Sequence, residues 1–258
     1  MHDTALRCGA FFIKTYSKPG DRLLDIGSLD VNGSLRGSIP EGVNYVGLDI
    51  EVGKNVDIVS APGDPFPFPD GYFDLVVSSS CFEHDVAFWE TALEAARVLR
   101  SGGTFYFSAP SNGHYHSYPY DNWRFYPDSG VALTRWMQRR GHNMRLIESG
   151  VLERQSDQWN DFYCIMGKEH FHAPGRVYEH LTARNVRTMG GLVLETFEEF
   201  PEDVRLAHSL NAALQSANVE LSRAEAELRA IKLSRSWRLI QAFGSIRNRF
   251  LRRPDTGS

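Results

Sequence analysis

The stretch Leu23–Gly33, with the sequence LLDIGSLDVNG, decides how this chain is interpreted. It opens with a short apolar run, typical of a buried strand, and the run ends in a glycine turn. In open α/β sheets, ligands bind at the carboxyl ends of the strands, where such turns lie. Gly27 has no Cβ, so a ligand can approach its backbone closely. The stretch therefore predicts a strand followed by a ligand-binding turn.

The segments on either side predict a doubly wound α/β domain. Short apolar runs suited to buried strands lie at 22–26, 45–50, 75–79, 104–108, 144–149 and 162–166. Apolar residues at helical spacing predict helices over 87–99 and 131–140. This alternation indicates a Rossmann-like, mostly parallel sheet. The short connection between the last two strands favours an antiparallel pair, which places an antiparallel strand at the sheet edge.

Composition excludes several classes of protein. The 258 residues are 42% hydrophobic and 23% charged, as in ordinary globular proteins. The three cysteines form neither a disulfide framework nor a zinc pattern, and we predict no metal site. No run approaches the ~18 apolar residues of a membrane span, and the beginning lacks a signal-peptide pattern, so we expect a cytoplasmic protein. An acidic main domain argues against nucleic acid as a partner.

The domain organisation follows from changes in composition along the chain. We predict a catalytic-size domain over 1–170, a connector over 171–202, a heptad helix over 203–232 and a basic amphipathic tail over 233–258. The heptad consists of apolar residues spaced three and four apart, namely Ala207, Leu210, Leu214, Ala217, Leu221, Ala224, Leu228 and Ile231. This pattern predicts a coiled coil, through self-association or with a partner. The alternative is a helix that lies back on the domain.

The tail combines apolar and basic residues. Seven of the 28 basic residues, and none of the 32 acidic ones, lie between Lys232 and Arg253. Trp237, Leu239, Phe243, Ile246 and Phe250 can share one helical face beside the arginines. This composition indicates a helix that binds an anionic membrane surface, at the inner face of the membrane. A solvated basic tail is the alternative.

An acid at the end of the second strand reduces the number of candidate ligands. Asp49 lies 24 residues after Asp25, where it can accept hydrogen bonds from both hydroxyls of an adenosine ribose. A dinucleotide would require three glycines around its pyrophosphate, but the turn offers one, followed by Asp30. Negative charge is unfavourable beside a pyrophosphate and tolerable beside a sulfonium and an ammonium. The residues therefore indicate S-adenosylmethionine; the alternative is an ordinary turn with a strand-end acid.

Four blocks in order then suggest a family: 67–77, 78–84, 94–103 and 104–107. Together they resemble the class I S-adenosylmethionine-dependent methyltransferases, in particular the methyltransferase type 11 group, over residues 21–110 and more loosely to 168. The resemblance implies that Asp25, Gly27 and Ser28 line the methionine part of the cofactor. It implies further contacts from Asp49 to the ribose, from Ile50 to the adenine, and from Ser79 and Ser80 on the side of the methyl group. Neighbouring Cys81 could face the methyl group or be an inert core residue. Many relatives have an acid after strand 3 that binds the adenine; this sequence has Ala61 or Pro62 at that position, and we take Asp64 as the substitute.

Residues 109–128 narrow the subgroup. They are similar to the loop after strand 5 in methyltransferases from bacterial polysaccharide and O-antigen gene clusters. Residues 159–162 also resemble that subgroup, and the sequence at 234–239 resembles the ends of glycan-assembly enzymes. This resemblance implies a sugar or glycan-intermediate acceptor and a role in polysaccharide biosynthesis.

Methyl transfer to a sugar hydroxyl is helped by a general base. We expect His116 to be the base, Asp121 to orient it or the acceptor, and Arg124 to hold an anionic group of the acceptor. His84 is a further candidate, since it follows strand 4 close to the cofactor. A structural role in the loop is the alternative for each histidine. Two other functions remain open at this point: a non-catalytic adaptor that docks glycan-assembly enzymes, and an NAD-dependent reductase.

Overall fold

The computed structural model describes residues 2–188 and 201–251. It separates into two compact units, one through Glu202 and one from Asp203 onward. Residues 189–200 of the predicted connector and 252–258 of the predicted tail lie outside the described residues.

The first unit is built on one eight-stranded sheet. Its strands are β1 (Arg22–Ile26), β2 (Asn44–Asp49), β3 (Ile58–Val59), β4 (Phe73–Ser79), β5 (Leu99–Pro110), β6 (Met144–Leu152), β7 (Asp161–Lys168) and β8 (Ala183–Thr188). Their order across the sheet is β3-β2-β1-β4-β5-β7-β6-β8. Strands β3, β2, β1, β4 and β5 pair in parallel, whereas β7 is antiparallel to both β5 and β6. The predicted Rossmann-like, mostly parallel sheet is confirmed.

An antiparallel strand forms one edge of the sheet, as predicted, but this strand is β8. The antiparallel pair β6–β7 is present, but β8 pairs antiparallel with β6 and covers it. Strand β8 comes from the segment that the sequence assigned to a connector, so the sheet extends beyond residue 170. Its sequence, ARNVRT, has one β-branched apolar residue, Val186, and lacks the apolar run that marks a central strand.

Helices cover both faces of the sheet. Helices α2 (Phe88–Val98) and α3 (Ser129–Arg139) lie on one face, where Phe105 and Phe107 form the centre of the core. Both were predicted to within two residues at each end. Helix α1 (Asp3–Tyr16), which the sequence analysis did not predict, packs Phe12 on the other face.

The second unit consists of helices α4 (Glu202–Leu233) and α5 (Arg235–Leu251). Helix α4 covers the predicted heptad segment and has no buried residue, so its Leu and Ile side chains are exposed. In α5, Leu239 and Phe243 are exposed; the side chains of Ile246 and Phe250 lie outside the described ones. Among the described residues, no helix is both long and apolar enough to cross a bilayer.

Candidate active site

The turns after β1 and β4 touch each other at the carboxyl edge of the sheet. In the register of the sheet, Ile26 lies between Leu48 of β2 and Ser78 of β4, so the three strands end side by side. Gly27 has a φ of 78°, and a Cβ placed on it would lie 2.6 Å from the Sγ of Cys81. Only glycine fits both the backbone conformation and the space.

A second glycine, Gly47 in β2, determines where the turn lies. A Cβ on it would lie 2.1 Å from the carbonyl oxygen of Asn55 and 2.7 Å from the Oγ of Ser28. Its backbone N–H donates to Asp57 Oδ2 at 2.8 Å. The sequence analysis treated Gly47 only as part of a strand, although a glycine inside an apolar strand is a signal of close backbone approach.

Asp49 is held by the same turn. Its Oδ2 accepts a hydrogen bond from the backbone N–H of Leu29 at 2.9 Å, and its Oδ1 accepts one from Ile50 at 2.7 Å. Ile50 is 46% exposed and offers an apolar surface beside the carboxylate. The structure thus brings Gly27, Ser28, Asp49 and Ile50 together. It leaves Asp64 exposed in a turn that its own N–H closes on the Ala61 carbonyl, without a hydrogen bond to this group among the described residues.

Two acids of the motif differ in their surroundings. Asp25 is buried and accepts a hydrogen bond from the Tyr45 hydroxyl at 2.7 Å, and burial raises the pKa of its carboxyl to about 7. Asp30 pairs with Lys54, whose Nζ lies 2.6 Å from Oδ2. Lys54 therefore balances the charge of Asp30. The negative charge in the turn is thus a weaker reason to exclude a pyrophosphate than the sequence suggested. The other reason against a dinucleotide still holds, because the turn lacks two of the three glycines that a pyrophosphate requires.

Unpaired hydroxyls at this edge test whether the proposed cofactor fits. The Oγ atoms of Ser28 and Ser80 are buried and have no hydrogen-bond partner among the described residues. The Oγ of Ser79, in contrast, lies 2.9 Å from that of Ser108. Buried hydroxyls normally have a partner, and the amino and carboxylate groups of a methionine moiety can provide one. The residues present therefore fit an amino-acid-bearing nucleoside.

Cys81 lies between the two turns as a neutral side chain. Burial raises the pKa of its thiol well above the ordinary value. Its contact with Gly27 and its neutrality favour the packing role that the sequence left open.

The long loop after β5, residues 111–128, docks on the loop that follows β4. The backbone N–H of Asn122 donates to the Glu83 carbonyl at 2.7 Å, and its side-chain amide donates to the His84 carbonyl at 2.9 Å. The indole N–H of Trp123 donates to the Asp85 carbonyl at 2.8 Å. These bonds fix the predicted acceptor loop beside the end of β4.

Arg124 is used within this loop. Its two terminal nitrogens donate to the two carboxylate oxygens of Asp121 and to the carbonyls of His114 and Trp123. The Asp121 side chain is only 1% exposed, and the Arg124 guanidinium holds the pKa of its carboxyl at about 2. The expectation that Arg124 binds an anionic acceptor is replaced by a positioning role, because its terminal donors are already paired.

The structure brings His84 and His116 together, although the sequence predicted each of them only as a separate candidate. Their ring centroids are 5.0 Å apart and the rings are nearly perpendicular. The backbone N–H of His116 donates to Asp121 Oδ2 at 2.7 Å, and its ring Nδ1 lies 3.4 Å from the same oxygen. Burial lowers the pKa of both imidazoles, so both rings are neutral near neutral pH.

Glu83 completes this group and was missed as a functional residue. It is fully buried, and neither carboxylate oxygen has a hydrogen-bond partner among the described residues. Burial raises its pKa to about 8. Helix α2 begins only at Phe88, so Glu83 does not lie at the start of a helix.

Helix α1 brings one further histidine to the loop. The Nδ1 of His2 lies 2.9 Å from Asp161 Oδ1, and its ring stacks on Trp159 with centroids 4.4 Å apart. The His116 ring contacts the same indole at 4.9 Å. Only the folded chain reveals this contribution, because 159 residues separate His2 from Asp161.

The aromatic residues of the loop divide into two sets. Phe125 belongs to the core of the first unit, and Trp123 packs against that core. Four tyrosines remain exposed: Tyr115, Tyr118, Tyr120 and Tyr126.

Comparison with known proteins agrees with this geometry. Residues 32–107 match the family model described as a methyltransferase domain. The fold is that of a class I methyltransferase. A solved structure of the 1,6-didemethyltoxoflavin-N1-methyltransferase from Burkholderia thailandensis, with bound S-adenosylhomocysteine, aligns with a TM-score of 0.50 and 13% identity. The alignment covers 65% of this chain and 79% of that one.

Two curated relatives are similar over shorter stretches. The sarcosine/dimethylglycine N-methyltransferase of Halorhodospira halochloris is 44% identical over 55 residues, which is 21% of this chain and 20% of the relative. The 27-O-demethylrifamycin SV methyltransferase of Amycolatopsis mediterranei is 31% identical over 101 residues, which is 33% of this chain and 37% of the relative. The chain thus spans well under half the length of either. Both relatives are methyltransferases by name, and neither name refers to a polysaccharide.

Proposed function

We propose that the first unit is a methyltransferase that takes its methyl group from S-adenosylmethionine. The observation that carries this proposal is the convergence of Ser28, Asp49 and Ser80 at the carboxyl ends of β1, β2 and β4. In the proposal, Asp25, Gly27 and Ser28 surround the methionine part, and Ser79 and Ser80 lie on the side of the transferred methyl. Asp49 binds the ribose, and Ile50 packs on the adenine.

The cofactor supplies an electrophilic methyl on a sulfonium, and the acceptor supplies the electron pair of the new bond. On transfer, the sulfonium sulfur would keep the electrons of the broken S–C bond, and the acceptor hydroxyl would lose its proton to His116. The protein's task is to align the acceptor and to exclude water. We place the acceptor against Glu83, His84 and His116. Glu83 and His84 closely follow Ser80 and Cys81 in sequence, and His116 comes from the loop after β5.

His116 is the proposed proton acceptor. Its Nδ1 faces two hydrogen-bond acceptors, Asp121 Oδ2 and the His114 carbonyl, each at 3.4 Å. This arrangement places the ring proton on Nδ1 and leaves a lone pair on Nε2. Asp121 is then a positioning residue for His116, and Arg124 is a positioning residue for Asp121.

We further propose that the acceptor is a sugar or glycan intermediate of cell-surface polysaccharide synthesis. The resemblance of residues 109–128 to such enzymes supports this proposal, and so do the exposed tyrosines of the loop, whose rings can stack on sugar faces. The test is incubation with labelled S-adenosylmethionine and a panel of nucleotide sugars and glycan extracts. The proposal expects label, and the mass gain of one methyl, in a sugar product. Transfer only to non-sugar acceptors would contradict it.

The second unit supports two proposals about partners. We propose that the exposed apolar face of α4 packs against the α4 of a second copy, because its apolar residues, spaced three and four apart, suit a coiled coil.

We propose that α5 and the residues after it bind an anionic membrane surface from the cytoplasmic side. Deletion of 233–258 should abolish sedimentation with anionic liposomes and leave S-adenosylhomocysteine affinity unchanged. Equal sedimentation of both proteins would refute the membrane proposal.

A further inference from the structure

Glu83, His84 and His116 form a group of side chains suited to a cation. Each offers one ligand atom, and these atoms all lie within 4.8 Å of one another. Glu83 directly follows the turn of β4 that contacts Gly27, and His116 comes from the loop after β5. We propose that these three residues bind one divalent transition-metal ion, with zinc as the ion best suited to two imidazoles and one carboxylate.

The first independent observation is the state of Glu83. Its side chain is fully buried, yet neither oxygen has a hydrogen-bond partner among the described residues. The nearest ring nitrogen, His84 Nε2, is 3.7 Å from Oε1, beyond hydrogen-bond distance. Buried polar oxygens without partners are costly in either protonation state, and a bound cation would provide the missing partner. Arg124 does not meet this need, because Asp121 balances its charge.

The second observation is the orientation of the histidines. His84 Nδ1 is hydrogen-bonded to the carbonyl oxygen of Tyr120. A carbonyl only accepts, so this nitrogen carries the ring proton and Nε2 carries the lone pair. His116 has the same tautomer, fixed by Asp121 and the His114 carbonyl. Histidine ligands of metals typically donate their other ring N–H to a carboxylate or a backbone carbonyl in this way.

The spacing of the ligand atoms requires a small inward movement. A tetrahedral zinc ion with bonds of about 2.1 Å holds its ligands about 3.4 Å apart. The present separations reach 4.8 Å, so binding would draw the three side chains together by rotation about their side-chain bonds. The spacing of the three cysteines predicts no metal site. The ligands proposed here are instead a glutamate and two histidines, which two separate loops bring together in the folded chain.

Three protein ligands leave at least one coordination position for another molecule. An acceptor hydroxyl in that position would become more acidic and would release its proton to solvent. His116 would then be a ligand, and its role as direct proton acceptor applies to the protein without metal. This role rests on the proposed methyltransferase function, whereas metal binding itself does not. A bound metal ion in this role implies an acceptor with an oxygen atom that can coordinate the metal, either the methylated atom itself or one beside it.

The test is zinc binding to the untagged, full-length, chelator-treated protein, measured by calorimetry, with cobalt(II) absorption as a second readout. We expect one equivalent of zinc in the wild type and in the control His170→Asn, which removes an exposed histidine outside the group. Glu83→Gln, His84→Asn and His116→Asn should each weaken zinc binding by at least about tenfold. Cobalt should give the intense visible bands of a tetrahedral site only in the wild type and the control.

Circular dichroism and S-adenosylhomocysteine binding without metal show whether each variant is folded and whether the cofactor proposal holds by itself. A wild type that binds S-adenosylhomocysteine but no zinc would overturn the metal proposal alone. So would zinc affinity that is unchanged in all three ligand variants. A wild type that binds zinc but no S-adenosylhomocysteine would instead overturn the proposed function and leave the metal site standing.

Discussion

Gly27 and Cys81 lie so close that a single added carbon on Gly27 would come within 2.6 Å of both the Cβ and the Sγ of Cys81. This contact joins the turn after β1 to the turn after β4, which together form the proposed methionine end of the cofactor site. The positive φ of 78° at Gly27 adds a conformational requirement for glycine.

Gly27→Ala should therefore weaken S-adenosylhomocysteine binding. A side chain in the left-handed region costs about 1–2 kcal/mol, so the turn should relax away from this conformation and from Cys81. We expect the displaced turn to lose roughly tenfold in affinity. Gly37→Ala is the matched control, because a Cβ there meets nothing within 4 Å. Calorimetry on both variants checks this, and equal affinities would argue against the site.

Asp25 should make the stability of the domain depend on pH. Burial raises its folded pKa from 3.8 to about 7, so the folded state holds a proton that the unfolded state releases between these values. The stabilising effect is complete below the unfolded value and is lost as pH rises through about 7. Asp25→Asn removes this dependence. Its melting temperature should rise relative to that of the wild type from about pH 5 to about pH 8. A constant difference across this range would show that Asp25 does not titrate there.

Asp121 should be essential for the stability of the loop after β5. Asp121→Asn leaves Arg124 without its carboxylate in a site where the acid is 1% exposed, and removing one partner of such a pair costs about 3 kcal/mol. Asp70→Asn is the control: Asp70 pairs with Arg97 but is 82% exposed, so the loss should be below about 1 kcal/mol. Urea denaturation of both variants measures the difference. Equal losses would contradict the positioning role.

Leucines of α4 should determine the oligomeric state. The double variant Leu214→Glu/Leu221→Glu places charges in the proposed seam and should convert a dimer to a monomer in light scattering. Gln215→Glu/Ser222→Glu adds the same charge one residue further along the helix, at exposed positions outside the seam, and should remain dimeric. A monomeric wild type, or identical behaviour of the two variants, would rule out the coiled coil.

The central part of the fold could be predicted because its signals are local. Strands β1 and β4 are short apolar runs that are buried in the middle of the sheet, and β2, next to the edge strand β3, is buried in part. Helix α1 was missed because it contains Gly9 and two adjacent phenylalanines, which have low helix propensity. It is stabilised by tertiary contacts instead, such as the stacking of Phe12 on Tyr106 with centroids 5.1 Å apart.

The candidate site also contains residues whose positions follow from local sequence signals and residues whose surroundings depend on tertiary contacts. Gly27 and Asp49 could be assigned from sequence, since the end of each strand fixes where they lie. The pairing of Asp30 with Lys54 and the lack of partners around Glu83 depend on how separate loops meet in the fold. No spacing in the sequence signals them. The role of Arg124 changed for this reason, because its carboxylate and carbonyl partners are visible only when the loop is folded.

Calorimetric titration of the wild-type protein with S-adenosylhomocysteine, and separately with NADH, tests the central claim most directly. The site formed by the ends of β1, β2 and β4 predicts one molecule of S-adenosylhomocysteine per chain with micromolar affinity and no heat from NADH. Binding of NADH would instead indicate a reductase, and binding of neither ligand would indicate an adaptor that has kept the fold without the cofactor.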